Sequence, residues 1–273
     1  MSTLRVMTFN IRGSSHIEDG GNAWKHRAPL NVRTIQHCIP DVIGFQELQK
    51  GNLETYKEQL PEYSYLLGPK TGCHIFYEYN AIFWRSSRFI LLDSGRFWLS
   101  RTPDRYSLSW QAKCVRAASW VKLRCLDTYV EFVLMNTHLD HMSEQARVEG
   151  SKLILQSIAR IQSSYVPVIL VGDFNCNPDT PVYRLMKEHG FVDTYLATDN
   201  VDDENSNTHH AYGWTQPSIL GGHRADTWRI DWILLRDDSG RLEPTSCGIV
   251  RDQEPPIYPS DHYPVVVELK IRD

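Results

Sequence analysis

Apolar runs that end on polar residues recur along this chain, and they set its reading. Residues 166–171 form an unbroken apolar run of strand length that stops at Gly172. Tyr129-Val130-Glu131-Phe132-Val133-Leu134 is one of several segments with period two, the pattern of a half-buried strand. Such patterns predict strands over 4–11, 41–48, 63–68, 80–85, 89–92, 118–125, 129–138, 166–173, 229–236 and 263–271. Helical spacing predicts helices over 29–39, 52–60, 143–162 and 180–189. The third helix is the clearest. Ser143 is its candidate N-cap, and Val148, Leu153, Ile154, Leu155, Ile158 and Ile161 supply a broad apolar face. Helices and strands are interspersed throughout, with no repeat and no low-complexity linker, which predicts one α/β domain over residues 1–273. Polar segments at 14–25, 100–114 and 199–226 read as loops over a working face.

The polar residues at the strand ends carry the chemistry. Asp173 and Asn175 follow the 166–171 run, two residues apart, so an extended chain would point them to one side. A carboxylate can orient water and an amide can donate to a phosphoryl oxygen, which suits work on a phosphate ester. A plain Asp/Asn turn is the alternative. Five further segments repeat the pattern: Thr8-Phe9-Asn10, Gly44-Phe45-Gln46-Glu47, Asn136-Thr137-His138-Leu139-Asp140-His141, Arg229-Ile230-Asp231-Trp232 and Ser260-Asp261-His262. Alone, each has an ordinary reading as a turn, a cap or a satisfied core histidine. Asp231 is hardest to dismiss, because a carboxylate flanked by Ile230, Trp232, Ile233, Leu234 and Leu235 needs a partner.

Composition narrows the class. Lys and Arg number 29 against 33 Asp and Glu, a net charge of −4, which argues against holding long nucleic acid by bulk charge. It leaves room for a local basic groove or a small anionic substrate. Hydrophobic residues make up 41%, enough for a sizeable core. There is no secretory signal pattern and no apolar run of membrane-spanning length, and no extended hydrophobic hairpin suggests a lipid substrate. The six cysteines are scattered without a C-x-x-C pair, so neither zinc nor a disulfide framework is indicated, and a cytoplasmic, reducing setting is the expectation. Cys176 reads as a buried thiol rather than a nucleophile.

Taken together, G-D-F-N at 172–175 and S-D-H-x-P-V from Ser260, with the early Asn10 and Gln46-Glu47, resemble the endonuclease/exonuclease/phosphatase superfamily, the family of deoxyribonuclease I and exonuclease III. The resemblance runs from Asn10 to His262. It implies a four-layer α/β/β/α sandwich of two mixed β-sheets flanked by helices, with the site where strand ends meet. It implies that Glu47, Asn10 and Asp261 serve a divalent metal, Mg²⁺ or Mn²⁺. By the same resemblance Asp173 orients or deprotonates water and Asn175 contacts phosphate. His262 is then the site histidine held by Asp231, its pKa raised by that pairing, and His138 stabilises charge or assists the leaving group.

Gly95-Arg96-Phe97-Trp98-Leu99-Ser100 with Pro103-Asp104, Trp110, Arg116 and Arg147 look like bacterial members of that family, without a narrower subfamily. Arg116, Asp140 and Arg147 are the weaker substrate-contact candidates. Trp24, Trp98, Trp110 and Trp214 could stack on a base or line a sugar, or simply pack. The expected function is metal-dependent phosphoester hydrolysis by a monomer, without a covalent nucleophile. A phosphodiester of nucleic acid or nucleotide is favoured over a sugar, inositol or lipid phosphate. The rival is a non-catalytic binding protein of the same fold, whose mark would be loss of Glu47, Asp173 or His262; all three are present.

Overall fold

The computed structural model describes residues 2–73, 76–161, 165–213 and 229–272. Two mixed sheets stack face to face. The first has seven strands, with path order β12-β13-β1-β2-β5-β3 and β4 paired to β5. Its strands are β1 (Thr3–Asn10), β2 (Val42–Leu48), β3 (Tyr63–Leu66), β4 (Lys70–Thr71), β5 (Glu78–Arg85), β12 (Leu242–Ile249) and β13 (Val265–Ile271). The second has six, ordered β10-β11-β9-β8-β7-β6. These are β6 (Phe89–Trp98), β7 (Ala117–Cys125), β8 (Glu131–His138), β9 (Val168–Asp173), β10 (Val192–Asp193) and β11 (Asp231–Arg236). One pair in each sheet is parallel, β1 with β2 and β8 with β9.

Strand alternation sorts the core into three layers. Leu4, Val6, Phe132, Leu134, Ile169, Val171 and Ile233 meet between the sheets. The opposite parity, Met7, Phe9, Ile43 and Phe45, packs outward under α1 (Trp24–Cys38) and α2 (Lys50–Gln59). On the other side Val133, Met135, Val168, Leu170 and Trp232 pack under α3 (Glu144–Ile161) and α4 (Pro181–Glu188). The result is the α/β/β/α sandwich that the resemblance implied.

Several elements differ from the sequence pattern. The helix expected over 29–39 begins at Trp24 and carries Pro29 inside it. The strand expected over 89–92 runs on to Trp98. Strand β12 was not predicted, because Pro244, Ser246 and Gly248 break its pattern; it is an edge strand, where proline costs no ladder bond on the open side. Ser143 does cap α3, its hydroxyl accepting from the Ala146 N–H at 3.1 Å. Among the described residues no helix is long and apolar enough to cross a membrane.

Candidate active site

The inward parity of the strands carries the site. In β1 the stripe that buries Leu4 and Val6 continues to Thr8 and Asn10. In β8 it continues from Leu134 to Asn136 and His138, in β9 from Val171 to Asp173, and in β11 from Ile233 back to Asp231. Polar side chains thus replace apolar ones at one end of the inter-sheet core. Gln46 Nε2 donates to Asn136 Oδ1 across the sheets at 2.7 Å, closing the apolar layer beneath them.

Glu47 breaks the rule. By alternation it would point outward with Phe45. Its φ of 59° and the register shift between Phe45 and Leu48 turn the backbone instead, so that Glu47 lines the cleft. Asn175 also reaches the cleft by a left-handed turn, φ 50°, rather than by extending the strand.

The groups converge on a cleft of about 510 Å³. Asn10 Nδ2 bridges two acids, donating to Glu47 at 3.1 Å and to Asp173 Oδ2 at 3.0 Å. The Asn175 N–H donates to Asp173 Oδ1 at 2.9 Å. One hydrogen of the Asn175 side-chain amide goes to the Leu139 carbonyl at 3.0 Å, leaving the second for a ligand. Burial, then the nearby Asp231 charge, pushes Asp173 up to about 7.

The two histidines are set differently. His262 donates from Nδ1 to Asp231 Oδ2 at 2.8 Å. Burial opposes its charge, but Asp231, with Asp173 and Asp261 nearby, outweighs that and raises it to about 10. His138 accepts at Nδ1 from Arg116 Nη1 at 2.9 Å. A guanidinium only donates, so the proton of the neutral ring sits on Nε2, which lies 3.4 Å from Asp173 Oδ2. Burial and then the Arg116 charge hold the His138 pKa well below its usual range. Arg116 thereby fixes the orientation and tautomer of the His138 ring. Arg116→Ala is expected to lower kcat about 10²-fold, the scale of one lost preorganised contact. ¹⁵N NMR of the His138 ring should show a single Nε2–H tautomer in the wild type and a mixture in the variant; an unchanged tautomer would remove this assignment.

Asn10 is bonded to Glu47, and Glu47 and Asp261 each stand with further candidate ligands. Ligand atoms of Glu47, Glu78 and His16 lie within 4.8 Å of one another, as do those of Asp261, His209 and His262. Glu78, His16, His209 and Arg12 line the cleft and were absent from the sequence reading. Glu78 opens β5, where its pattern is that of any polar strand start. Burial and then the Glu47 charge push it up to about 7. Arg12 lies 3.1 Å from Asp19 and 3.8 Å from Asp261. The buried Arg27 guanidinium donates to the carbonyls of Ile11, Arg12, Gly13, Asn22 and Pro259, fixing the loops that present Arg12 and Asp261.

Asp140 and Arg147 do not line the cleft. Asp140 accepts four backbone N–H groups, from Lys113, Cys114, Met142 and Ser143, and Arg147 donates to its carbonyl at 2.8 Å. They fix the loop beside Arg116, where the sequence reading placed substrate contacts. Trp24 packs edge-on against Tyr56 in the outer core. Trp214 and the end of the 199–226 loop lie outside the described residues. Cys176 is buried, and burial holds its thiol up at about 12, which fits an inert thiol.

One expectation is corrected: Cys73 and Cys114 form a disulfide. Their separation of 41 residues gave no spacing signal, and the fold brings them together where Gly72 and Val115 bridge. Thiol titration of unreduced, denatured protein should find four thiols, from Cys38, Cys125, Cys176 and Cys247, and six after reduction. Six before reduction would remove the bridge.

The chain matches known proteins over nearly its whole length. The model of the endonuclease/exonuclease/phosphatase family matches residues 7–262. A family protein of Bacteroides vulgatus is 28% identical, with 100% of both chains covered and a TM-score of 0.84. A mannosyl-6-phosphatase of Bacteroides thetaiotaomicron is 29% identical, with 97% of this chain and 99% of that one covered and a TM-score of 0.83. Nocturnin of Xenopus laevis is 29% identical in an alignment of 206 positions that covers 67% of this chain and 50% of that protein. The chain spans 36–58% of the length of such curated relatives. With this coverage and the strand-end cluster, the chain belongs to the endonuclease/exonuclease/phosphatase family, whose members are hydrolases of phosphoesters.

Proposed function

We propose that this protein is a divalent-metal-dependent phosphoester hydrolase that attacks a phosphodiester with water. The carrying observation is the carboxylate of Asp173, ringed by Asn10, His138 and His262 in a cleft that also holds Glu47 and Asp261. Asp173 orients the water and takes its proton; a group near neutral pKa suits that work. Asn175, with its free amide hydrogen, and His138, with Nε2–H, donate to the phosphoryl oxygens. The cationic His262, fixed by Asp231, faces the same oxygens.

The donor set fits a hard divalent cation. Two carboxylates and one imidazole stand within 4.8 Å of one another at Glu47, and Glu78 is held up at about 7 partly by the Glu47 charge, an excess a cation would relieve. Glu47 would hold Mg²⁺ or Mn²⁺, with Asn10 and Asp261 supporting, and the bound ion would supply charge to the non-bridging oxygens.

Hydrolysis of bis(p-nitrophenyl) phosphate should require Mg²⁺ or Mn²⁺ and stop in EDTA. Glu47→Ala should weaken Mn²⁺ binding, read by calorimetry, at least about tenfold. A non-catalytic binding protein would show no turnover, and Glu47→Ala would change nothing. A second reading, a sugar phosphomonoester, is favoured by the similarity to the mannosyl-6-phosphatase. Faster cleavage of p-nitrophenyl phosphate than of the diester would select it.

A further inference from the structure

Strand β5 and the segment before it separate two cavities. Phe76 and Glu78 line the catalytic cleft, while Tyr77 and Tyr79 line a second cavity of about 520 Å³. Successive side chains of an extended segment point to opposite sides, so one stretch of chain walls both. The second cavity therefore lies across that stretch from the catalytic cleft.

Its lining has a distinct chemistry. Tyr106 meets Tyr77 and Trp98 edge-on, each pair with centroids 6.4 Å apart. The Trp98 indole N–H donates to the Lys70 carbonyl at 2.8 Å, which fixes the ring. Lys70 Nζ stands 4.5 Å from the Tyr77 ring centroid. Tyr77 is 50% exposed and Tyr106 48%, large rings left open beside a cleft rather than buried.

Charge separates this cavity from its neighbour. The catalytic cleft holds Glu18, Glu47, Glu78, Asp173 and Asp261. The second cavity has no carboxylate in its wall, only Lys70 and Arg96. Both cations are exposed, and among the described residues no ion pair within 4.0 Å joins either to an acid. For a neutral sugar the wall offers tyrosine hydroxyls and the two cations but no carboxylate or side-chain amide, whereas its cations match a phosphate. Flat rings beside uncompensated cations are what a single-stranded nucleic acid uses, base on ring and phosphate on cation.

We propose that this cavity seats a nucleotide adjoining the scissile phosphate of a single-stranded nucleic acid, its base against Trp98 and Tyr106 and its phosphate between Lys70 and Arg96. The proposal rests on the phosphodiester reading of the cleft and names its substrate class.

The test uses Asp173→Asn protein with Mg²⁺ and a fluorescently labelled hexathymidylate, followed by anisotropy. Adding Tyr106→Ala should weaken binding about tenfold, the scale of one lost stacking contact. Adding Arg96→Ala should weaken it and reduce the salt slope by about one. Both residues are exposed, so neither change threatens the fold. In otherwise wild-type protein, the same substitutions should leave hydrolysis of bis(p-nitrophenyl) phosphate unchanged, since that compound does not reach the second cavity. Absent oligonucleotide binding, binding untouched by either change, or losses seen only with a phosphorylated oligosaccharide would overturn the proposal. No diester hydrolysis by the wild type, with the binding losses intact, would count against the cleft's reading while still supporting a nucleotide site.

Discussion

Asp173→Asn is expected to lower diester hydrolysis about 10³-fold while leaving the fold intact. The substitution keeps shape and removes only the charge and basicity. Asp173 is 2% exposed, and both oxygens are engaged: Oδ1 by the Asn175 N–H, Oδ2 by Asn10 with His138 and His262 beyond. An asparagine can keep one of these acceptors, so the local geometry survives. What it cannot do is take a proton from water, and a positioned base contributes about 10²–10⁴-fold. Asparagine also removes a negative charge that helps hold His262 cationic. The measurement is kcat on bis(p-nitrophenyl) phosphate with saturating Mn²⁺, beside a urea unfolding curve. Hydrolysis within threefold of the wild type would end the assignment of Asp173 as base. A collapse of stability would make the variant uninformative about chemistry, and Asp173→Ser then offers a smaller side chain for the same comparison.

Gly172→Ala is expected to cost about 2–6 kcal/mol of stability, backbone strain and overpacking each contributing about 1–3 kcal/mol. Gly172 has φ +152°, a region that side chains rarely adopt. It pairs with Thr137 on one side and Trp232 on the other, so neither neighbouring strand is free to retreat. A Cβ there would lie 2.1 Å from the Thr137 carbonyl oxygen. The glycine thus lets β8 and β9 approach at the point where His138 and Asp173 leave them. Activity should fall with stability, because the 3.4 Å spacing of those two side chains depends on that approach. The check is the urea midpoint with its slope; a loss below about 0.5 kcal/mol, the range of neutral surface changes, would show the backbone yields there.

Much of the site was legible because strand alternation is local. The stripe from Leu4 through Val6 to Asn10 can be read without a structure, and so can the stop of the 166–171 run at Gly172-Asp173. Asp231 announced a partner because an apolar flank makes an unpaired carboxylate costly, and the structure supplies His262 at 2.8 Å. Strand β12 and the early start of α1 were not legible. An edge strand tolerates Pro244, and the packing of Trp24 under the sheet carries α1 through Pro29.

Other site residues had no sequence signal. Glu78 and His209 acquire meaning only from facing Glu47 and His262. Arg27 carries no signal in the sequence, and its role comes from the five carbonyls that close on it. Asp140 looked available for substrate, yet four backbone N–H groups engage its carboxylate, and Arg147 gives one N–H to the Asp140 carbonyl.

The sequence by itself determined the α/β class and the strand ends that carry chemistry, because burial imposes a period of two on strands and 3.6 on helices along the local chain, while its motifs at 172–175 and from Ser260 carried the resemblance that implied the family and its layers. Tertiary structure decided the rest: the left-handed turn that brings Glu47 inward, the ring tautomer set by Arg116, the Cys73–Cys114 pairing and the second cavity behind Glu78. Each of these depends on which distant segments meet. Contacts of that kind arise from sheet stacking and backbone geometry, which no local spacing of residues encodes.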